Sequence, residues 1–255
     1  MRVARIRTAA GDRYAVAQIG TDGAPEWAVV EDPFADEVLY TGERVPVEGT
    51  TLLAPSVPRV VVGIAHNKAN NDHHLPIQVW TKSARSIAGP HDEIPFPDNI
   101  GGINIEGELA VVIGKSAYRL TLENALDAVF GYTITNDVTN VDQVAIDEKF
   151  FQVKSGVNYA PIGPWVETDI ANPDDVPITV AINGVVLAES GTKNLPSTIA
   201  ECLVYVTQWL ELGPGDIVIS GAPRTFFPAK PGDVVEITLP GIGTLTNTIV
   251  AEAAA

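Results

Sequence analysis

Three acidic residues fall at positions where two neighbouring strands would bring them together. Glu106 and Glu108 lie two residues apart in the β-prone stretch 102–114, and side chains two apart in a strand point to the same face. Asp137 follows a second β-prone run, residues 132–135. Three carboxylates without a cysteine or histidine nearby in the sequence suit a hard divalent cation, Mg²⁺ or Mn²⁺. The alternative interpretation is an acidic strand face in contact with solvent.

A lysine follows these acids in apolar surroundings. Lys154 ends the stretch Phe-Phe-Gln-Val-Lys at residues 150–154. A partly desolvated lysine beside a metal can transfer a proton to or from an enolate. The alternative is a lysine whose aliphatic stem covers apolar surface while its ammonium group reaches water. His73 and His74 are adjacent, so on a strand they would face opposite ways and would not form a paired ligand set.

The composition is that of an ordinary globular protein with an excess of acidic groups. The chain has 255 residues, of which 45% are hydrophobic and 19% charged, and its formal net charge is −16. That length suffices for one large domain or for a small domain and a larger one. The negative charge argues against nucleic acid or an anionic membrane as a partner, because both require a positive surface. The single cysteine, Cys202, excludes an intrachain disulfide and a thiolate metal site.

The hydropathy pattern predicts a cytoplasmic protein. Residues 1–8 include basic residues but no apolar core of signal-peptide length. No run of the sequence reaches the roughly 18 apolar residues that a transmembrane helix requires.

Short β-prone runs dominate the sequence. Strands are predicted at residues 3–6, 13–19, 26–30, 59–65, 216–220, 233–239 and 244–250. Prolines and glycines crowd residues 43–58 and indicate a domain boundary. A helix is predicted over residues 197–212, with Ser197 as its N-cap, and a weaker helix signal covers residues 121–130. Residues 66–97 lack a regular pattern and predict a long polar loop.

Several motifs occur in an order that resembles the fumarylacetoacetate hydrolase family. They lie at residues 107–114, 131–139, 154–155, 161–165, 183–184, 214–223, 232–236 and 241–243. The resemblance covers about residues 60–250. It implies an α+β, β-dominated fold with a mixed β-roll catalytic domain at residues 56–255. The proline-rich boundary and the short strand signals before it predict a small N-terminal β-rich lobe at residues 1–55. The resemblance also implies a homodimer and a divalent cation, Mg²⁺ or Mn²⁺, that binds the oxygens of an enolisable oxo acid.

The resemblance assigns roles to individual residues. Glu106, Glu108 and Asp137 fall on the family's metal ligands and Lys154 on its active-site lysine. Residues 80–82, which end in Lys82, together with residues 89–90 resemble the segment that closes over the substrate. Thr192 falls where the family has a threonine that contacts the substrate.

The chain also departs from the family pattern at two places. Many hydrolytic members have a histidine and a glutamate that activate water, and an ungapped count from Gly63 puts Ala69 and Asp72 there. Asp72 with His73 or His74 is the predicted replacement for this pair. An arginine that often follows the metal-binding aspartate by four residues is Val141 here, and Gln143 lies nearby as a substrate-binding candidate. An apolar group in place of arginine predicts a less acidic or differently shaped substrate tail.

Three hypotheses compete for the function. The first is a metal-dependent hydrolase that cleaves a C–C bond of a 2-oxo or dioxo acid through a metal-stabilised enolate. The second keeps the same metal and enolate but carries out tautomerisation, isomerisation, decarboxylation or dehydration, none of which needs the water-activating pair. The third is a non-catalytic protein that binds a small molecule. The repelling acids disfavour the third hypothesis, because buried carboxylates without an ion would cost stability.

Overall fold

The chain forms two β-sheets with two short α-helices. The computed structural model describes residues 1–68, 75–98 and 100–252. The strands within these residues are β1 (Arg2–Thr8), β2 (Gly11–Ile19), β3 (Pro25–Val30), β4 (Tyr40–Pro46), β5 (Leu52–Leu53), β6 (Val61–Ala65), β7 (Gln78–Lys82), β8 (Ile87–Ala88), β9 (Glu93–Phe96), β10 (Ile103–Ile113), β11 (Val129–Asn136), β12 (Thr139–Asn140), β13 (Ala160–Glu167), β14 (Pro177–Ile182), β15 (Val185–Gly191), β16 (Ile217–Ile219), β17 (Phe226–Ala229), β18 (Val234–Leu239) and β19 (Gly243–Ala251). The helices are α1 (Phe151–Lys154) and α2 (Ile199–Thr207).

The larger sheet has fourteen strands, and its main path runs β4-β3-β2-β1-β13-β11-β10-β16-β6-β7. The smaller sheet has five, in the order β15-β14-β18-β19-β9. Most neighbours are antiparallel, but β6 pairs with β16, β8 with β13 and β9 with β19 in parallel. This mixed, strand-dominated architecture confirms the predicted α+β, β-dominated fold.

β10 pairs with four other strands of the larger sheet. From Gly107 onwards it pairs with β11 on one side and, over Ala110–Val112, with β16 on the other. Its first half, Ile103–Glu106, pairs with β17, and Ile103 and Asn104 also pair with β12. Every residue of β10 except Asn104 is buried, and this explains its nearly continuous apolar sequence, because both faces lie against other elements.

Gly107 allows the two sheets to approach each other at β10. It lies between Glu106 and Glu108 and therefore faces the opposite side of the strand. A Cβ atom on Gly107 would lie 2.6 Å from Val180 Cγ2 of β14 and 3.1 Å from Ile237 Cγ2 of β18. The missing side chain thus lets the apolar face of the smaller sheet pack directly against the backbone beneath the two glutamates.

The N-terminal strands extend the larger sheet. β1 to β4 form an antiparallel meander, as the sequence predicts for residues 3–30, and β5 pairs with β1. β1 also pairs with β13 at Val3 and Val166, so the sheet is continuous from the N-terminal region to the centre. The boundary between residues 1–55 and 56–255 as separate folding units stays a prediction.

Helix α2 is shorter than the sequence predicts. Its N-cap is Thr198 rather than Ser197: the Thr198 hydroxyl accepts from Glu201 N, and the Glu201 carboxylate accepts from Thr198 N, which forms a capping box. The helix ends at Thr207, whose hydroxyl donates to Leu203 O at 2.8 Å. Residues 208–209 form a turn and Leu212 makes a β-bridge with Ala117, so the predicted end at Leu212 is wrong, since apolar spacing does not define where the helical hydrogen bonds stop.

Two other sequence predictions need correction. Residues 66–97 are not one long loop, because β7, β8 and β9 lie within them, and their side chains alternate too little in polarity to predict strands. β7 pairs with the preceding strand β6, whereas β8 and β9 pair with β13 and β19, which are distant in the sequence. The helix signal at residues 121–130 corresponds to one 3₁₀ turn, Ala125–Ala128, followed directly by β11. In the described part of the chain, no helix is both long and apolar enough to cross a membrane.

The close packing at Gly107 gives a stability prediction. Gly107→Ala should lower the free energy of unfolding by about 1–3 kcal/mol, because the added methyl group forces Val180 and Ile237 to move in a packed core. Chemical denaturation would measure the change. Gly102→Ala is the matched control, because its Cβ would meet Val141 Cγ2 at an ordinary 3.6 Å. Equal stability of the two variants would contradict the packing interpretation.

Candidate metal centre and active site

The pairing of β10 with β11 brings the three predicted metal ligands together. Gly107 is paired with Asn136, so Glu106, the residue before Gly107, lies opposite Asp137, the residue after Asn136. In agreement with this pairing, Asp137 N donates to Glu106 O at 2.9 Å. Glu108 lies on the same face as Glu106. The three carboxylates lie within 4.8 Å of one another, and each residue is 1% exposed. The interpretation as a solvent-exposed acidic strand face is therefore wrong.

Three lysines surround this carboxylate cluster. Lys154 Nζ donates to Asp137 Oδ2, donates to Thr139 Oγ1 at 2.5 Å and lies 3.6 Å from Glu106 Oε2. Lys82 Nζ lies 2.6 Å from Asp137 Oδ1, and Lys68 Nζ lies 2.6 Å from Glu106 Oε1. The side chains of Lys82 and Lys154 are 0% and 4% exposed, whereas that of Lys68 is 36% exposed.

Lys154 is a buried member of the cluster and does not extend to water. It is the last residue of α1, which places its ammonium group 4.4 Å from the centroid of the Trp80 ring. Trp80 is itself 9% exposed, so the ammonium group is packed against a buried ring. The interpretation of Lys154 as a lysine that merely covers apolar surface is therefore wrong.

Lys82 is held by main-chain carbonyls as well as by Asp137. Its Nζ donates to Val138 O at 2.9 Å and to Tyr159 O. It lies on β7, which pairs with β6, so the resemblance to a closing segment falls on a strand and not on a loop. Burial lowers the pKa of Lys82 to about 8, and the charge of Asp137 only partly opposes this effect.

The carboxylates differ in their electrostatic surroundings. Burial raises the pKa of Glu108 well above its ordinary value, and the charges of Asp137 and Glu106 add to this effect. Burial would also raise the pKa of Asp137, but the ammonium groups of Lys154 and Lys82 hold it below its ordinary value. For Lys68, the attraction of Glu106 outweighs burial and raises the pKa. The opposite charges of the carboxylates and the lysines therefore stabilise one another in the buried cluster.

The donor set fits a divalent cation. Glu106 Oε2 and Asp137 Oδ1 are buried acceptors that receive no hydrogen bond from the residues described, although Lys82 lies within salt-bridge distance of Asp137. Glu108 Oε2 accepts from Gly221 N, and Glu106 Oε1 accepts from Thr139 Oγ1 at 2.9 Å. Carboxylate oxygens in this number suit Mg²⁺ or Mn²⁺. Glu106, Glu108 and Asp137 are thus the residues that would hold the cation.

The other predicted site residues are distributed around the cluster or lie elsewhere. Gln143 lines a cavity of about 530 Å³ together with Asn140, which follows Thr139 in the chain, and Tyr159, whose carbonyl oxygen accepts from Lys82. The Thr192 hydroxyl donates to Pro173 O and accepts from Val176 N, both at 2.8 Å, so both of these hydrogen bonds are made with backbone atoms. Its role in substrate binding stays a prediction. Asp72, His73 and His74 lie outside the described residues.

Sequence reasoning missed three groups of the site. Thr139 lies two residues beyond Asp137 in the sequence, and the spacing argument that joined Glu106 to Glu108 would have included it if it had been applied to this pair. The Gly221 backbone N–H carries no side-chain signal. Lys68 enters the site because β6 lies next to β16, and that pairing of distant segments cannot be recognised from local sequence.

Comparisons with known proteins agree with this fold. Residues 58–250 match the family described as Fumarylacetoacetate (FAA) hydrolase C-terminal, and residues 1–55 match the family described as Rv2993c-like, N-terminal. Protein Rv2993c of Mycobacterium tuberculosis is 34% identical, and the alignment covers 98% of each chain.

Two solved structures are similar over nearly the whole chain. The 5-carboxymethyl-2-hydroxymuconate delta-isomerase from Mycobacterium smegmatis has a TM-score of 0.91 at 32% identity and covers 99% of this chain and 100% of its own. The 2-hydroxyhepta-2,4-diene-1,7-dioate isomerase from Mycobacterium marinum has a TM-score of 0.92 at 32% identity and covers 100% of both chains. The family match spans most of this chain, and the chain therefore belongs to the fumarylacetoacetate hydrolase family of enzymes.

Proposed function

We propose that this protein is a divalent-cation-dependent enzyme that isomerises an enolisable 2-oxo acid by proton transfer. The observation that carries the proposal is the buried cluster of Glu106, Glu108 and Asp137 with Lys154 in direct contact. A bound Mg²⁺ or Mn²⁺ would polarise the oxo and carboxylate oxygens of such an acid. The chain's own residues supply the remaining requirements.

Lys154 is the group that moves the proton. Its Nζ lies at the edge of the carboxylate cluster, and Asp137 and the Thr139 hydroxyl fix its position. The Trp80 ring shields it from water, which keeps a transferred proton from exchanging freely with solvent. General acid–base groups held in this way typically contribute a factor of about 10²–10⁴ to the rate.

Isomerisation requires less of the protein than hydrolysis does. A 2-hydroxydienoate becomes an unsaturated 2-oxo acid when the hydroxyl proton leaves and a chain carbon gains one, while the double bonds shift and nothing else enters or leaves. One acid–base group and a site that stabilises negative charge suffice. Both requirements fall on described residues. The two similar structures named above are called isomerases of unsaturated acids of this kind.

Hydrolytic C–C cleavage is the second candidate. It is favoured by the contact of Lys68 with Glu106, because the predicted water-activating residues Asp72, His73 and His74 follow Lys68 closely in the sequence. Hydrolysis needs such a base to deliver water to the second carbonyl group. The choice between the two reactions therefore rests on whether residues 72–74 take part in turnover.

The metal centre is tested by Glu108→Gln. Glutamine keeps an oxygen that can accept from Gly221 N but removes one ligand charge. For the unaltered protein, Mn²⁺ at 100 times its dissociation constant should stabilise the fold by about 2.7 kcal/mol and raise Tm. The variant should lose this rise, while its metal-free Tm should not fall, because one repelling buried charge is gone. Thermal unfolding with and without Mn²⁺ measures both.

The control for this test is Glu189→Gln, which neutralises an exposed glutamate on β15. It should keep the full rise in Tm with Mn²⁺. If Glu108→Gln keeps it as well, the assignment of the three carboxylates to a cation is wrong.

The reaction is tested with Lys154→Met in the presence of Mn²⁺. With 2-hydroxyhexa-2,4-dienoate as substrate, which has a single carboxylate and an uncharged tail, turnover followed by NMR should fall by about 10²–10⁴-fold, because the proton-transferring group is lost. The rise in Tm with Mn²⁺ should remain. Lys149→Met, at an exposed lysine five residues away, is the control and should retain turnover.

The products distinguish the two candidate reactions. Isomerisation gives one product of unchanged mass, whereas hydrolysis of an acylpyruvate gives two acids. If only acylpyruvates react, and both His73→Ala and His74→Ala abolish that reaction, the isomerase proposal is refuted and hydrolysis takes its place.

A further inference from the structure

We propose that Lys68 is a substrate-binding residue that receives an anionic oxygen of the substrate once a divalent cation has bound to Glu106. This inference rests on the proposed function and extends it, because it specifies the substrate class as an acid that presents two negative charges to the site. Four features of the structure support it: the exposure of Lys68, its anchoring, the charge balance of the cluster, and the lack of another cation near the adjoining cavity.

Among the described residues, Lys68 is the lysine of the cluster that solvent can reach. Its side chain is 36% exposed although its Nζ lies 2.6 Å from the fully buried Glu106. The side chains of Lys82 and Lys154 are buried, with 0% and 4% exposure. An anion that approaches the carboxylates from solvent therefore meets Lys68 before it meets the other two ammonium groups.

The backbone that carries Lys68 is fixed. The neighbouring Asn67 is 1% exposed; its Nδ2 donates to Ser220 O at 2.7 Å and its Oδ1 accepts from Ser197 N at 2.8 Å. Arg224 N donates to Lys68 O at 3.0 Å. The aliphatic stem therefore starts from a rigid point, and only the outer part of the side chain can move.

The same segment that anchors Lys68 also holds a metal-ligand candidate. Gly221, with φ +112°, donates its N–H to Glu108, and a Cβ on Gly221 would lie 2.0 Å from Asn67 O. A glycine is required there because the two backbones are in contact. Lys68 and Glu108 are thus positioned against one shared piece of backbone, as expected for groups that act on one ligand.

The charges of the cluster predict a dianion. Metal ligands must be deprotonated, and among the described residues the three lysines balance the ionised Glu106, Glu108 and Asp137. A bound divalent cation would then give this described part of the cluster an excess of two positive charges. Lys82 and Lys154 keep neutral partners, backbone carbonyls and the Thr139 hydroxyl, in the buried interior. Lys68 shares Glu106 with the cation and lies at the solvent side, so it is the group that an anion can reach.

The adjoining cavity supplies no competing cation. Its described lining residues are apolar or uncharged, with the exception of Glu252. None of these described residues is basic, and Glu252 is acidic. An anionic group of the substrate is therefore favoured at Lys68, and an uncharged part of the substrate is favoured in the cavity.

The test compares full-length Lys68→Met and Lys68→Arg by isothermal titration calorimetry, with Mn²⁺ and then oxalate as probes. Oxalate is a planar dianion with adjacent oxygens, like the enolate of a 2-oxo acid. Lys68→Met should bind Mn²⁺ at least as tightly as the unaltered protein, because a cation that competes for Glu106 is gone. Its Mn²⁺-loaded form should bind oxalate about tenfold more weakly or worse, or about 1.4 kcal/mol.

Lys68→Arg should stay within about threefold of the unaltered protein for oxalate, since it keeps the charge. Lys115→Met, at an exposed lysine after β10, is the control and should match the unaltered protein in both titrations. Unchanged oxalate affinity in Lys68→Met would overturn the proposal. Loss of Mn²⁺ affinity together with oxalate affinity would also overturn it, because Lys68 would then only hold Glu106 in place.

These titrations separate this inference from the proposed reaction. They involve no turnover, so weak oxalate binding by Lys68→Met alongside an unaltered protein that does not isomerise the dienoate would support Lys68 and refute the reaction. If the unaltered protein fails to bind Mn²⁺, both are refuted.

Discussion

Three mutually repelling carboxylates, buried within 4.8 Å of one another, are the constraint on which the rest of this site depends. Buried charges of one sign are stable only beside opposite charges or a cation. The chain meets this requirement with ammonium groups from three separate segments: Lys68 after β6, Lys82 on β7 and Lys154 on α1. Removal of one acid or one lysine therefore alters every other charge in the cluster, and single substitutions here cannot be interpreted as independent effects.

Strand register converts this electrostatic requirement into a geometry. Glu106 and Glu108 share a face because they are two apart, and Asp137 joins them because the β10–β11 pairing places it opposite Glu106. Gly107, on the other face, lets the smaller sheet pack close beneath them. A shift of one residue in this register would turn both glutamates into the apolar interface with β14 and β18 and expose hydrophobic side chains in their place. The apolar packing therefore maintains the position of the acids.

The sequence predicted what depends on local spacing and missed what depends on distant pairing. Period-two alternation placed Glu106 and Glu108 on one face, and the predicted β-prone runs correspond to strands of the structure, including β1 to β3. Lys68 and the strand that carries Lys82 were not recognised, because their positions follow from β6 lying between β16 and β7. Both ends of α2 were misplaced: at its start the capping-box pair Thr198 and Glu201 was overlooked, and at its end the apolar spacing continued past Thr207.

The carboxylate cluster by itself does not determine the reaction, because it can support any chemistry that places negative charge on adjacent oxygens. Specificity must come from groups around it. The resemblance to the family places an arginine where this chain has Val141, and the nearby cavity contains no basic residue among those described. Positive charge is found instead at Lys68, which another strand of the sheet brings to the cluster. A substrate would therefore bind with its charged end toward β6 and its neutral end toward Gln143, so the position of one cation sets the direction in which the acid enters the site.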